Sequence, residues 1–272
     1  MDEPPSRRPA RAHDPGRSIG RSRGPILLAA ILALLFVAAA PASAKRPRCD
    51  GQPATIIGGR HGNHITGTDH DDVIVGGGGN DVINGGKGRD RICGNGGRDR
   101  LGGAAGNDVV IGGRKHDSIA GSKGDDTLVG GAFSFHGRAK GGGSDALYGE
   151  AGHDLVIGDS FSAHGRAVGG GNDALNGGPR ADTVVGDSYT LSGVAIGGGR
   201  DAVHGEDGPD HLYGDNHAAF VGGRTSGGAH DVLSAAAGRD HLNGGPRRDL
   251  CNGGPGLDLA SLCEVKREIV GG

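Results

Sequence analysis

GGGGNDVINGGKGRDRIC, residues 76–93, carries Gly-Gly-x-Gly-x-Asp-x-Ile twice in eighteen residues. Glycine brings no side-chain chemistry and costs more backbone entropy to order than any other residue, so its regular use marks a backbone that must turn in a fixed way. Read outward in steps of nine, units begin at 58, 67, 76, 85, 94, 103, 112 and 121 without a slip. The register then continues with insertions. Ten extra residues enter the units that begin at Gly130, Gly158 and Gly186, and twelve enter the one at Gly214. Ordinary units begin at 149, 177, 205, 235, 244 and 253.

Two places of the unit hold their chemistry throughout. The sixth is Asp72, Asp81, Asp90, Asp99, Asp108, Asp117, Asp126, Asp145, Asp154, Asp173, Asp182, Asp201, Asp210, Asp231, Asp240, Asp249 and Asp258, seventeen of eighteen units. The eighth is aliphatic from Ile65 and Ile74 through Leu242, then Cys251 and Ala260. Composition alone, with 60 Gly in 272 residues, 3% aromatics and no Trp, reads as a disordered glycine-rich chain. A random linker does not keep Asp and a branched aliphatic in step, so the period overrides the composition.

The nonapeptide G-G-x-G-x-D-x-U-x resembles the repeat of the hemolysin-type, or repeat-in-toxin (RTX), calcium-binding family, over residues 58 to about 261. The resemblance implies an all-β fold, a right-handed parallel β-roll of about nine coils with two units to the coil. In such a roll the glycine half of each unit turns and the rest forms a short strand whose central side chain points inward. Units two apart share an edge, which places Asp81 beside Asp99 and Asp90 beside Asp108. Carboxylates stacked at the roughly 4.8 Å strand spacing repel unless a cation separates them. Hard Ca²⁺ takes six to eight oxygens, backbone carbonyls included. The resemblance therefore implies several Ca²⁺ ions held by the sixth-place Asp and by turn carbonyls such as those of Gly77, Gly79, Gly86 and Gly88. The competing reading is an Asp that only bonds local backbone.

The chain also departs from the family pattern. The fourth place is His61, His70, Lys115, Arg180, Ala229 or Arg247 in some units, and the fifth is often basic, as at Arg89, Arg98, His116, His153, Arg200, His230, Arg239 and Arg248. Pairing of Asp with these cations, and a partly calcium-independent roll, stands as the alternative.

The four long units are the ninth, eleventh, thirteenth and fifteenth, so in a two-unit coil all insertions leave by one edge. Their sequences GGAFSFHGRAKGGGSD, GDSFSAHGRAVGGGND and GDSYTLSGVAIGGGRD repeat one another. They align Phe133, Phe161 and Tyr189 in one row, with His217 following, and Asp159, Asp187 and Asp215 in another. Three readings stand: a face that binds a surface protein or glycan, a site for further calcium, or aromatics that only pack loop on loop.

Residues 1–24 are arginine-rich, and PILLAAILALLFVAAAPASA, residues 25–44, is apolar and ends in Ala42-Ser43-Ala44. That is the layout of a secretory signal peptide cleaved after Ala44, with a membrane anchor over residues 25–43 as the alternative. Extracellular localisation follows from the first reading. The expected organisation is a signal peptide at 1–44, a cap at 45–57, the roll at 58–261 and a tail at 262–272. Beyond residue 24 the chain carries 23 basic and 29 acidic residues with no basic stripe, which argues against a nucleic-acid partner. In an exported chain Cys49, Cys93, Cys251 and Cys263 are expected to form disulfides. Cys93 falls in the second coil and Cys251 near the ninth, about 34 Å apart at strand spacing, too far to bridge. Cys49–Cys93 and Cys251–Cys263 are therefore the expected pairs, one at each end.

The repeats consume the chain, so no separate catalytic domain remains. H-E-x-x-H and a P-loop are absent from the sequence. Gly158-Asp159-Ser160 and Gly186-Asp187-Ser188 resemble the start of a hydrolase nucleophile motif, but they recur at one repeat position and read as repeat elements. The expectation is a secreted, non-enzymatic calcium-binding protein with a structural or surface-interaction role. A calcium-independent scaffold or adhesin, or a secreted hydrolase, is the alternative.

Overall fold

The computed structural model describes residues 45–220, 223–263 and 265–267. The signal or anchor segment at 1–44 lies outside the described residues, as does part of the tail at 262–272. Among the described residues no helix is long and apolar enough to cross a membrane.

The strands alternate between two parallel sheets of ten strands each. The first sheet runs through Ile56–Ile57, Val73–Gly78, Arg91–Gly96, Val109–Arg114, Thr127–Val129, Leu155–Ile157, Thr183–Val185, His211–Tyr213, His241–Asn243 and Leu259–Ser261. The second runs through His64–Thr66, Val82–Lys87, Arg100–Ala105, Ser118–Lys123, Ala146–Ala151, Ala174–Asn176, Ala202–His204, Val232–Ser234, Leu250–Asn252 and Val265–Arg267. Register is kept at two units. Ile74 faces Ile92, Ile83 faces Leu101, and across an insertion Ile119 faces Leu147. This is a parallel β-roll with two strands to the coil.

The roll is longer than the repeat. Ile56–Ile57, from the segment expected to be a cap, pairs with the strand at Val73, and Val265–Arg267, from the tail, pairs with the strand at Leu250. Neither segment carries a recognisable nonapeptide. Each continues an open sheet edge by main-chain hydrogen bonds, for which the repeat sequence is not needed. A disulfide lies near each of these ends: Cys49 bonds Cys93 with Cα atoms 5.6 Å apart, and Cys251 bonds Cys263 at 5.9 Å.

The interior is one file of eighth-place side chains from both sheets, from Ile74 and Ile83 to Leu242 and Cys251, all buried. One such side chain per unit is a thin core, and among the described residues no aromatic enters it.

A second apolar layer lies outside. Val75, Cys93, Ile111, Val129, Ile157 and Val185 sit one place after the core residues of the first sheet, so strand alternation turns them outward. The insertions cover the later part of this row, and the segment at Cys49 and Ala54 packs against its first members. Phe133–Lys140, Phe161–Val168, Tyr189–Ile196 and His217–Ala218 form a third parallel sheet, with Arg224–Ser226 paired to the far half of Tyr189–Ile196. Phe161, Ala163 and Tyr189 pack down onto the outward row. The other sheet has Asn84, Asn176 and His204 at the corresponding place and carries no such cover.

Replacing Leu147, which is fully buried, by Ala truncates one of the two core side chains of its coil and is expected to cost about 2–5 kcal/mol. Asn84→Ala, on the exposed face of the same sheet, is expected to change stability by less than about 0.5 kcal/mol. Denaturant unfolding of both variants reads the difference, and equal shifts would contradict the single-file core.

Candidate metal centre

In most units the first Gly is fixed by the sixth-place Asp of the same unit. A Cβ on Gly85 would overlap Asp90 Oδ2, and one on Gly94 would overlap Asp99 Oδ2, so the carboxylate folds back into the space that the missing side chain leaves. The other oxygen reaches the neighbouring coil. Asp72 N–H donates to Asp90 Oδ1 at 2.8 Å, Asp90 to Asp108 at 2.8 Å, and Asp108 to Asp126 at 2.8 Å along one edge. Along the other edge Asp81 donates to Asp99, Asp99 to Asp117, and Asp117 to Asp145 at 2.7–2.8 Å. The same bond links Asp126 to Asp154, Asp154 to Asp182, Asp182 to Asp210, Asp210 to Asp240 and Asp240 to Asp258. It links Asp145 to Asp173, Asp173 to Asp201, Asp201 to Asp231 and Asp231 to Asp249. Asn63 holds the sixth place of the first unit, and its N–H donates to Asp81 Oδ1.

Two columns of carboxylates result, and they are buried. Asp90, Asp99, Asp108, Asp117, Asp126 and Asp201 are each at most 4% exposed. Oδ2 of Asp81, Asp90, Asp99, Asp108, Asp117, Asp126, Asp145, Asp154, Asp173, Asp182, Asp201, Asp210, Asp231, Asp240 and Asp258 is buried with no hydrogen-bond partner. Burial, and then repulsion from the carboxylates above and below, raises these groups: Asp90 to about 6, Asp117 to about 8 and Asp201 to about 9. A row of buried acceptors with nothing donating to them is costly unless a proton or a cation completes it.

The arrangement suits Ca²⁺. Among the described residues no three His, Cys, Asp or Glu side chains converge on one point, so each ion would take one carboxylate per turn and fill its shell with main-chain carbonyls. The carbonyls are at hand. A Cβ on Gly97 would strike the Gly79 carbonyl and come within 3.1 Å of Asp99 Oδ1, which places both oxygens against the same turn. The Gly88 carbonyl lies in the same way against Gly106. Gly77 and Gly86 stand in register with Asn95 and Ala104 of the next coil.

Asp72 differs from the rest of its column. Thr55 Oγ1 donates to its Oδ1 at 3.0 Å, and Thr68 donates through N–H and Oγ1 to its Oδ2 at 2.7 and 2.8 Å. Burial raises this carboxyl, but those bonds outweigh it and hold the group below its usual value. Asp72 thus lacks the unpartnered Oδ2 that Asp90 and Asp108 carry in the same column.

The basic fifth place does not neutralise the ladder where the pairing is seen. Arg89 reaches Asp71 at 3.9 Å, not its neighbour Asp90, and Lys87–Asp69 and Arg91–Asp50 also lie off the columns. The fourth-place departures are tolerated as strain: Lys115 and Arg180 adopt φ of 78° and 106°, a conformation glycine takes more easily.

The inserted loops align as the repeats of their sequence require, and their aromatics stack on one another. Phe133, Phe161, Tyr189 and His217 stack at ring separations of 4.8, 5.5 and 5.5 Å. Phe161 and Tyr189 are 7% and 8% exposed, and Asp159, Asp187 and Asp215 are buried. Phe161 and Tyr189 are packing between the third sheet and the roll, while Phe133 and His217 at the ends of the row are half-buried. The apolar ninth places of alternate units, Val75 to Val185, carried the signal for that covered face, and a count limited to the sixth and eighth places misses it. Ser160 and Ser188 are also fully buried, and Ser160 Oγ is engaged with Gly141 and with the Ala132 N–H, so neither is an accessible nucleophile.

Comparison with known families matches the RTX calcium-binding nonapeptide repeat to residues 66–101, 102–134, 141–162, 168–188, 196–218 and 225–260. No curated protein matches the chain.

The raised carboxyls set a pH dependence for the metal-free chain. Their folded-state values lie above the unfolded value of about 4, so the folded form holds the proton more tightly. The resulting stability is full below about pH 4 and is lost as pH rises through about 6 at Asp90, 8 at Asp117 and 9 at Asp201. In chelator, the melting temperature is expected to fall steadily from pH 4, until by pH 7.5 the metal-free chain is largely unfolded at ambient temperature. A melting temperature that rises over that range would show that the ladder is not protonated in the metal-free fold.

Proposed function

Since the chain belongs to the RTX calcium-binding nonapeptide repeat family, we propose that it is a secreted structural protein whose roll folds as Ca²⁺ enters the two aspartate columns. Asp81, Asp90, Asp99, Asp108, Asp117 and Asp126, with their counterparts Asp145 to Asp258, supply the charge, and turn carbonyls of adjacent coils complete each ion's shell. The observation that carries this reading is the unpartnered, buried Oδ2 repeated from coil to coil. At neutral pH those oxygens require either protons held against the solvent or a divalent cation between coils. A cation removes the repulsion and supplies the missing partner in one step.

Coupling to folding follows from the same geometry. The carboxylates are brought together only by coil stacking, so the unfolded chain has no comparable site and the binding free energy contributes to folding. The apolar run before Lys45 and the two disulfides support export. Extracellular calcium modules commonly bind at about 10⁻⁴ to 10⁻³ M, a range in which the chain stays open inside a cell and closes outside it.

Far-UV circular dichroism of the purified chain during a calcium titration tests this, with magnesium as the control. A cooperative gain of β signal with calcium and none with magnesium is expected. A full β spectrum already present in chelator at pH 7.5, unchanged by calcium, would overturn it. Asp99→Asn is expected to raise the calcium concentration at the midpoint several-fold.

A further inference from the structure

The inserted loops bring a third column of carboxylates that the nonapeptide does not supply. Asp159, Asp187 and Asp215 each occupy the second place of a long unit, at the neck where the loop leaves the roll, and the loop returns through Gly169–Gly171 and Gly197–Gly199. The first long unit has Gly131 at this place, and its N–H donates to the Asp159 carbonyl at 2.8 Å, so the column begins at Asp159. All three side chains are buried, Asp159 and Asp187 with no exposed surface.

Their hydrogen bonding is incomplete in a directed way. Asp187 Oδ1 accepts from Gly199 N–H at 3.0 Å and Asp215 Oδ1 from Ala229 N–H at 3.1 Å. Oδ2 of both is unpartnered, and so are both oxygens of Asp159. Asp159 N–H donates to the Asp187 carbonyl at 3.2 Å, so the two are coil neighbours, and the charges of Asp159 and Asp215 both bear on Asp187. Two ionised carboxylates only accept, so each gap holds unmet acceptors from above and below. Burial and the surrounding charges of Asp145, Asp173, Asp201 and Asp231 raise Asp159 and Asp187 strongly. Glycine backbone packs around the carboxyls: a Cβ on Gly142 would come within 2.6 Å of Asp159 Oδ1, and one on Gly228 within 2.9 Å of Asp215 Oδ2.

We propose that the necks of the inserted loops form a separate calcium column, one Ca²⁺ between Asp159 and Asp187 and one between Asp187 and Asp215, which fastens the third sheet to the roll. Two carboxylates per ion, with the glycine carbonyls of 141–143, 169–171 and 197–199 nearby, give the oxygen-only environment a hard divalent cation takes. These sites differ from the ladder sites in having side-chain charge from both coils unencumbered by the coil-to-coil N–H bond at Asp159. The proposal rests on the calcium-binding reading above, but it concerns residues outside the nonapeptide pattern.

Equilibrium dialysis with calcium on the full chain, wild type and variants, counts the ions per folded chain, with circular dichroism measuring the folded fraction. Asp187→Asn, shared by both gaps, is expected to lose about two ions, and Asp159→Asn, at the column end, about one. Asp99→Asn serves as a ladder control. Unchanged stoichiometry in both neck variants, with ions lost in the control, would overturn the neck column alone and leave shared protons as the filling of the gaps. A wild-type chain that takes up no calcium would instead overturn the functional reading on which the column rests.

Discussion

The hydrogen bond from the N–H of one sixth-place Asp to the carboxylate of the Asp in the next coil is the constraint on which the rest of the roll depends. It is made at 2.7–3.1 Å from Asp72 to Asp258. It fixes the vertical register of the turns and orients the side chain, and it draws the second oxygen into a buried position without a partner. A turn built this way is ordered and electrically incomplete at once. The incompleteness is what makes a divalent cation part of the structure and not an addition to it.

The thin interior makes that dependence stronger. Only one aliphatic side chain per unit is buried between the sheets, while nine residues, many of them glycine, lose backbone freedom. Hydrophobic burial alone is a weak counterweight, and main-chain pairing must be joined by another stabilising contribution. The chain supplies two. Disulfides lie near both ends of the stack. The inserted loops bury the later part of a second apolar row, ending at Val185, beneath Phe161 and Tyr189. The middle of the roll is thus three layers deep on one side, where Asp145, Asp173 and Asp201 are raised to about 7, 7 and 9 by the added burial and their neighbours.

The loops also change the meaning of their own aromatic residues. A row of Phe, Phe, Tyr and His on a repeated insertion reads as a binding strip when only the loop sequences are considered. Once the third sheet lies on the first, the same row becomes an internal stack, and the polar atoms left at the loop necks become the feature with chemistry in it.

A great deal of this was legible in the sequence, because a strict period of nine makes every unit a copy of its neighbours. The parallel stacking with two units to the coil came from the family resemblance that the repeat carries, and the inward aliphatic, the Asp81–Asp99 and Asp90–Asp108 proximities and the two disulfide pairs follow from it once the register is read. What the sequence did not decide depends on contacts between elements that share no pattern. The strands Ile56–Ile57 and Val265–Arg267 join the sheets through backbone bonds, which are blind to side chains. Asp72 has the same identity and place as its column mates, yet Thr55 and Thr68 satisfy it. The direction in which the loops fold was settled by which outer face is apolar, a property of two layers meeting. Local repetition determined the roll; burial, which exists only after the layers pack, decided which carboxylates are left without partners.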